Sequence, residues 1–423
     1  MRAVAVGRRP YVVNRVGPES TGAPARRHKP DYWLLIITLG LLAVGVIVVY
    51  SISPALAVGD GTADGSAYVT RQLIAIALGL ALFALAARVP IRVWRKAAPV
   101  LLVLAGLATL FALIAPINDD YPAHRWIRFG GLSFQSVELV KVAFMLWFAS
   151  FLLLRKNTEL LGNAKKTLYP IFGMLAGIGI VVVELQSDLG SGVVLAAMLL
   201  VMAFVSGIPM KWVGLVVGVT LVGGLLFIMS TGYRQERVAT FLNPSADCLD
   251  AGYQACQALI AIGSGGMTGL GLGNSVQAYG YLPEAENDSI FAIYAEKFGF
   301  LGVTALLGLL LALYGRLKRI MDRTPDEYNR LIVLGVFVWL STQAIMNIGA
   351  MIGLLPLKGI TLPLISYGGS SVLMVLFALG LVFQISRYTT NRTIAVKGEF
   401  ADDDSRMRRR VRGAHYAAPG GRR

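Results

Sequence analysis

Charge is scarce in this sequence. Asp, Glu, Lys and Arg make up 15% of its 423 residues, where a soluble domain has nearer a quarter. Histidine is scarcer still: His28, His124 and His415 are scattered along the chain and make no zinc-ligand pattern. The only cysteines are Cys248 and Cys256. Their spacing fixes no geometry and leaves a bridge and two free thiols both open. The first 31 residues hold no short apolar stretch closed by a small-residue cleavage site. No cleavable signal peptide is expected, and the first apolar run should stay in the membrane as an anchor. The Gly269–Gly273 run follows no strand, so it is a poor nucleotide motif.

Apolar length is what the chain has in abundance, with 56% of residues hydrophobic and 47 glycines, which suit close helix packing in lipid. A spanning helix needs about 20 mainly apolar residues. Ten stretches qualify: 32–53, 70–89, 97–115, 135–154, 168–185, 189–207, 211–230, 290–315, 330–352 and 369–388. The expected fold is all-α, a polytopic membrane bundle of about ten helices. Residues 1–31 read as a basic flexible tail, 32–388 as the membrane domain, and 389–423 as a second flexible tail. A large outer loop, 231–289, separates the seventh helix from the eighth.

Net charge is +15, but the cations sit in short blocks between apolar runs, which argues for positive-inside topology over nucleic-acid binding. Arg26, Arg27 and Lys29, then Arg92, Arg95 and Lys96, then Arg155, Lys156, Lys165 and Lys166, then Arg316, Lys318, Arg319 and Arg323 mark alternate connections as inward. Asp60, Asp64, Asp119, Asp120, Glu284, Glu286 and Asp288 lie in the others. Both tails are therefore expected on the cytoplasmic side, with anionic membrane lipids as partners of the basic blocks.

Ionisable groups inside apolar helices each need a reason. Glu138 and Lys141, three apart on one helix face, read equally as a structural ion pair or as substrate contacts. Glu184, Gln186 and Asp188 cluster at a helix junction, either as hydrated turn residues or as groups converging on an outer cavity. Gln343 and Asn347 are expected to make interhelical hydrogen bonds. Glu296 and Lys297 are adjacent, point to different faces and are expected to be eased by partial hydration. Arg125, Arg234, Arg237 and Lys358 face outward against the topology bias, which asks for an anionic partner such as a pyrophosphate, with an incidental lipid headgroup as the bland alternative. In the long loop, apolar Gln257–Ile262 followed by glycine-rich sequence suggests a re-entrant segment over a cavity. Glu284, Glu286 and Asp288 close that loop. A carboxylate there could be a general base, although a solvated acidic loop is the plainer reading.

Several stretches together resemble one family, the SEDS proteins (shape, elongation, division and sporulation). They are Arg125-Trp126-Ile127 through Ser133, Glu138-Leu-Val-Lys141, Gln186-Ser-Asp188-Leu-Gly190, Gly252-Tyr253-Gln254 through Gly266, Gly271-Leu-Gly-Asn274-Ser275-Val-Gln277, Tyr281-Leu-Pro-Glu284-Ala285, and Lys358-Gly-Ile-Thr-Leu-Pro363 through Ser366 to Ser371. The likeness covers about residues 32–388 and is greater to the division branch, FtsW, than to the elongation branch, RodA. The family commonly has His-Thr-Asp-Phe where this chain has Glu286-Asn287-Asp288-Ser289, and proline where it has Ser187. A second acid at Glu286 is expected to raise the pKa of Asp288.

The resemblance implies a glycosyltransferase polymerising lipid II on the outer face of the bacterial cytoplasmic membrane, in septal wall synthesis, with Asp288 as catalytic residue. The substrate-side candidates are Arg125, Glu138, Lys141, Gln186, Asp188, Arg234, Arg237, Lys358 and Ser366. It also implies a class B penicillin-binding protein and other division proteins as partners. A divalent cation, Mg or Mn, is left open as a cofactor. A lipid II flippase and a non-catalytic division scaffold are the rival readings; a flippase would need charges reachable from both faces.

Overall fold

A computed structural model describes residues 28–59, 65–114, 125–129, 132–229, 232–243, 248–250 and 252–389. Most of both expected tails lies outside these residues. The first helices are α1 (Tyr32–Gly59), α2 (Ser66–Arg88), α3 (Ile91–Ile114) and α4 (Ser136–Asn157). Next is α5 (Ala164–Leu185), whose ends, Ala164–Leu168 and Ile178–Leu185, are wound as wider π turns. Then come α6 (Leu189–Val205), α7 (Met210–Met229), α8 (Gly232–Leu242) and α9 (Tyr253–Ser264). The last are α10 (Ile290–Arg323), α11 (Glu327–Met351) and α12 (Gly369–Ile385).

Eight of these, α1–α5 and α10–α12, are long and apolar enough to cross a membrane, while α6 and α7 are shorter apolar helices. The chain is a multi-pass membrane protein. The bundle is not purely α. Trp126–Phe129 (β1) and Leu132–Gln135 (β2) pair antiparallel, with Trp126 opposite Gln135 and Phe129 opposite Leu132. The sequence carries the signal for this hairpin, a Gly130-Gly131 pair between short runs rich in β-branched and aromatic residues. The expectation of ten apolar helices hides so short a ribbon.

Small residues set the closest helix contacts. A Cβ on Gly380 of α12 would stand 2.5 Å from the carbonyl of Phe83 on α2, and one on Gly79 would stand 2.5 Å from Cδ1 of Leu376. Without side chains there, the two helices approach to backbone contact. Helix starts are also written in the sequence. Asp326 accepts from the Asn329 amide at 2.8 Å and caps α11, and Asp188 accepts from the Ser191 amide at 2.9 Å and caps α6.

The long loop is more ordered than a cover. It contains α8 and α9, and Cys248 is bonded to Cys256, closing the alternative of two free thiols. Its glycine run packs on a break in α10. Gly299 sits at φ 61° inside that helix. Leu270 N and Gly271 N donate to the carbonyls of Glu296 and Lys297, and Phe300 N and Leu301 N donate to those of Gly266 and Met267. Backbone pairs with backbone because Gly265, Gly269 and Gly299 have no side chains: a Cβ on Gly269 would lie 2.1 Å from the Lys297 carbonyl.

The same junction overturns the expectation of hydration for Glu296 and Lys297, which are 1% and 2% exposed. Glu296 accepts from Ser275 Oγ, Val276 N and Gln277 N. Lys297 Nζ donates to the carbonyls of Leu272 and Ser51. Protein groups replace water because the glycine loop brings them within reach.

Candidate active site

Asp288 is the last residue but one before α10, at the end of a tight turn. Glu284 occupies the left-handed region at φ 50°. Its carbonyl accepts from Asn287 N and Ser289 N, both at 3.1 Å, and its carboxylate from Asn287 Nδ2 at 2.6 Å. Ser289 Oγ donates to the Pro283 carbonyl and accepts from Gln254 of α9.

The end of α11 and the connection from it to α12 hold this turn through three successive carbonyls. Tyr367 N donates to Glu286 O at 2.8 Å, Ser366 Oγ to Asn287 O at 2.6 Å, and Asn347 Nδ2 to Asp288 O at 2.7 Å. Asn347 Nδ2 also donates to Ile360 O, and Ser366 Oγ accepts from Leu362 N, both at 2.7 Å. The Ser366 hydroxyl is thus committed within the protein. Gln343 Nε2 donates to both oxygens of Thr361 at 3.1 Å. Gln343 and Asn347 were expected to join helices, and instead they anchor loops, because α11 ends beside the segment it leads into.

Gly359 lies between two opposite charges. A Cβ there would be 3.6 Å from one Arg125 guanidinium nitrogen and 3.8 Å from Asp288 Oδ2. Arg125 is presented by the start of the β1–β2 hairpin, and Lys358 is the chain neighbour of Gly359. Two buried polar atoms here have no hydrogen-bond partner, Nε of Arg125 and Oδ1 of Asp288. The carboxyl of Asp288 is pushed up to about 7. Burial is the largest cause, followed by the negative charge of Glu284; Glu286 adds to the rise, while the residue's own backbone amide and Arg125 pull it down. The expectation for Glu286 holds in direction, but Glu284 weighs more.

The remaining candidates surround this turn at different depths. Gln186 and Asp188 are buried, at 0% and 2% exposure, so neither is a hydrated turn residue. Gln186 Nε2 donates to Ser136 Oγ, and Asp188 accepts from Gln135 Nε2, both at 3.0 Å, tying the α5–α6 junction to the start of α4. Glu184 is exposed. A Cβ on Gly190 would meet Ile360 at 2.3 Å, so this junction also lets the 358–366 segment approach. Lys141 pairs with Glu138 at 2.7 Å, both buried, and lies 5.5 Å from the ring centroid of Trp339, whose Nε1 donates to Gln343 Oε1. Oε2 of Glu138 is buried without a partner. Arg234 and Arg237 lie on α8, and their side chains fall outside the described residues. Among the described residues, no three His, Cys, Asp or Glu side chains are grouped to hold a metal ion.

Residues 32–391 match the protein family described as cell cycle protein, FtsW/RodA/SpoVE. The chain belongs to that family. Among FtsW relatives, one from Coxiella burnetii, named "Probable peptidoglycan glycosyltransferase FtsW", is 40% identical over 370 residues, covering 85% of this chain and 97% of its own. The stage V sporulation protein E of Bacillus subtilis is 35% identical, covering 86% of this chain and 99% of its own. A solved structure described as "Structural coordination of polymerization and crosslinking by a peptidoglycan synthase complex" superposes with a TM-score of 0.67 at 29% identity, covering 85% of this chain and 98% of its own. The Thermus thermophilus rod shape determining protein RodA follows at 0.60 and 28%, covering 86% and 98%. In this FtsW/RodA/SpoVE member, sequence reasoning missed the loop-holding role of Asn347 and Gln343. A polar residue in a membrane helix betrays a partner but not which one.

Proposed function

We propose that this chain is a peptidoglycan glycosyltransferase that polymerises lipid II in septal wall synthesis. It acts on the outer face of the cytoplasmic membrane with both termini inside. The observation that carries this reading is the pair of unsatisfied buried atoms, Asp288 Oδ1 and Arg125 Nε, beside Gly359. A donor and an acceptor left open on either side of Gly359 are groups that a hydroxyl- and phosphate-bearing substrate between them would satisfy.

Asp288, held near neutrality, is matched to general-base work at physiological pH. Its carboxylate takes the proton of the 4-hydroxyl of the acceptor's N-acetylglucosamine. That oxygen forms a bond to C1 of the donor's lipid-linked sugar. The C1–oxygen bond to pyrophosphate breaks, and undecaprenyl pyrophosphate leaves with the electron pair. Negative charge grows on the leaving group, where the fixed charge of Arg125, with Lys358 beside it, stabilises the transition state. Arg234 and Arg237 belong to the same anionic role. A divalent cation, Mg or Mn, would accompany the pyrophosphate, since such ions are held largely by substrate phosphates. Ser366, Gln186 and Asp188 position loops in this scheme. The likeness to a synthase that couples polymerisation to crosslinking supports a class B penicillin-binding protein as partner.

The test is purified protein, with its partner, given lipid II. Asp288→Asn should slow polymer formation by about a hundredfold or more. Polymer made at the wild-type rate would remove Asp288 as the base.

A further inference from the structure

At the other end of α10, roughly 45 Å from Asp288 by helical rise, lies a cavity of about 420 Å³. It is bounded by the approach to α1, the last turns of α10, and the turn Ser386–Tyr388 that follows α12. Its α10 wall is Arg316, Arg319, Ile320 and Arg323. These follow the i, i+3, i+4, i+7 spacing, which places them on one helix face. Lys29 and His28 face them from the chain before α1.

The cavity is built rather than incidental. Arg316 donates to Asp31 through Nη2 at 2.8 Å and Nε at 3.3 Å. Asp31 N donates to Ser386 Oγ at 2.9 Å, and His28 N to the Arg387 carbonyl at 2.8 Å. Three separate segments are thereby locked together around the space. Among the described residues, Asp31 is the one acid in the lining, beside Lys29, Arg316, Arg319 and Arg323. The rim carries Tyr32 and Trp33, exposed by 54% and 61%, and Ile36 further along α1 is exposed by 56%. Aromatic side chains of this kind sit at the headgroup level of a bilayer, with lipid chains beyond.

We propose that this cavity binds the phosphodiester headgroup of an anionic membrane lipid. Guanidinium groups match phosphate oxygens bidentately, and the volume lies within the range of ligand sites. The exposed apolar edge along α1 favours a lipid over free phosphate, because only a lipid continues from the cavity into the hydrocarbon.

Native mass spectrometry of the full chain, titrated with phosphatidylglycerol or phosphatidylcholine, tests this without any assay of activity, so its outcome is independent of the proposed reaction. Phosphatidylglycerol should be retained at least tenfold more tightly than phosphatidylcholine. Arg319→Ala with Arg323→Ala should remove that preference. Lys318→Ala is the control: it deletes a charge from the same stretch of helix, but one that pairs with Asp322 at 3.0 Å away from the cavity. It should leave retention unchanged. Equal loss in the control would overturn the site in favour of diffuse surface charge. Displacement of the lipid by millimolar inorganic phosphate would overturn the lipid in favour of the free anion. Melting temperatures of all variants separate lost binding from lost folding.

Discussion

Asn347 contributes one amide group that reaches two loops, and its position explains why Asp288 can be so unfavourably placed. Burial and two neighbouring acids oppose the Asp288 carboxylate, its own backbone amide and Arg125 favour it, and the turn that carries it is held through its backbone carbonyls. Asn347→Ala removes two hydrogen bonds of 2.7 Å, each worth about 1 kcal/mol. It should lower kcat by about tenfold to a hundredfold, since small misplacements of a catalytic group are costly, with little change in KM. Steady-state polymerisation of lipid II measures both. The raised pKa of Asp288 has two consequences of definite sign. In the proposed reaction Asp288 acts as the carboxylate, so the rate should rise about tenfold per pH unit below about 7 and level off above it. The protonated form favours folding, and that contribution is lost as pH rises through about 7. Asp288→Asn should therefore melt at a temperature that gains on wild type between pH 6 and pH 8. Asp288 stood out as a candidate because Tyr281-Leu-Pro-Glu284-Ala285 just before it resembles a family stretch. The role of Asn347 was not legible, because its two partners are carbonyls distant in sequence, one of them 59 positions away.

Among the elements, α10 and α4 carry the expensive features. Gly299 breaks α10 at φ 61°, and a Cβ there would stand 2.3 Å from the Gly269 amide nitrogen. Gly299→Ala should destabilise the protein by more than about 1 kcal/mol, because both the backbone strain and the clash must be relieved. Differential scanning fluorimetry in detergent reads this directly. On α4, Lys141→Met leaves Glu138 buried and unpaired. It should cost roughly 3 kcal/mol or more, and Glu138→Gln in the same chain should restore part of the loss. A double-mutant thermal series decides whether the pair is structural. The glycines were visible in the sequence as a run, but which backbone they admit depends on a helix that arrives later. The β1–β2 hairpin was overlooked although its Gly130-Gly131 signal was present, since hydropathy registers only long runs.

At the scale of the molecule, hydropathy located the apolar helices. Every stretch expected to be apolar and helical contains a helix in the structure, with ends moved by several residues; α10, for instance, runs to Arg323 rather than 315. Those ends are set by caps and by partners, such as Asp326 at the start of α11, which apolar content does not encode. The 231–289 loop was legible as an outlier in length, but α8 and the Cys248–Cys256 bond were not read from it. That bond bears on how the molecule is made. Thiols stay reduced in the cytosol and are oxidised beyond it. With the long loop on the outer face, as proposed, a newly synthesised chain carries two alkylatable sulfurs until that loop crosses the bilayer, and a finished one carries none. Each copy keeps a covalent record of its own insertion. Brief alkylation of growing cells, followed by intact-mass measurement, would count stalled chains against completed ones.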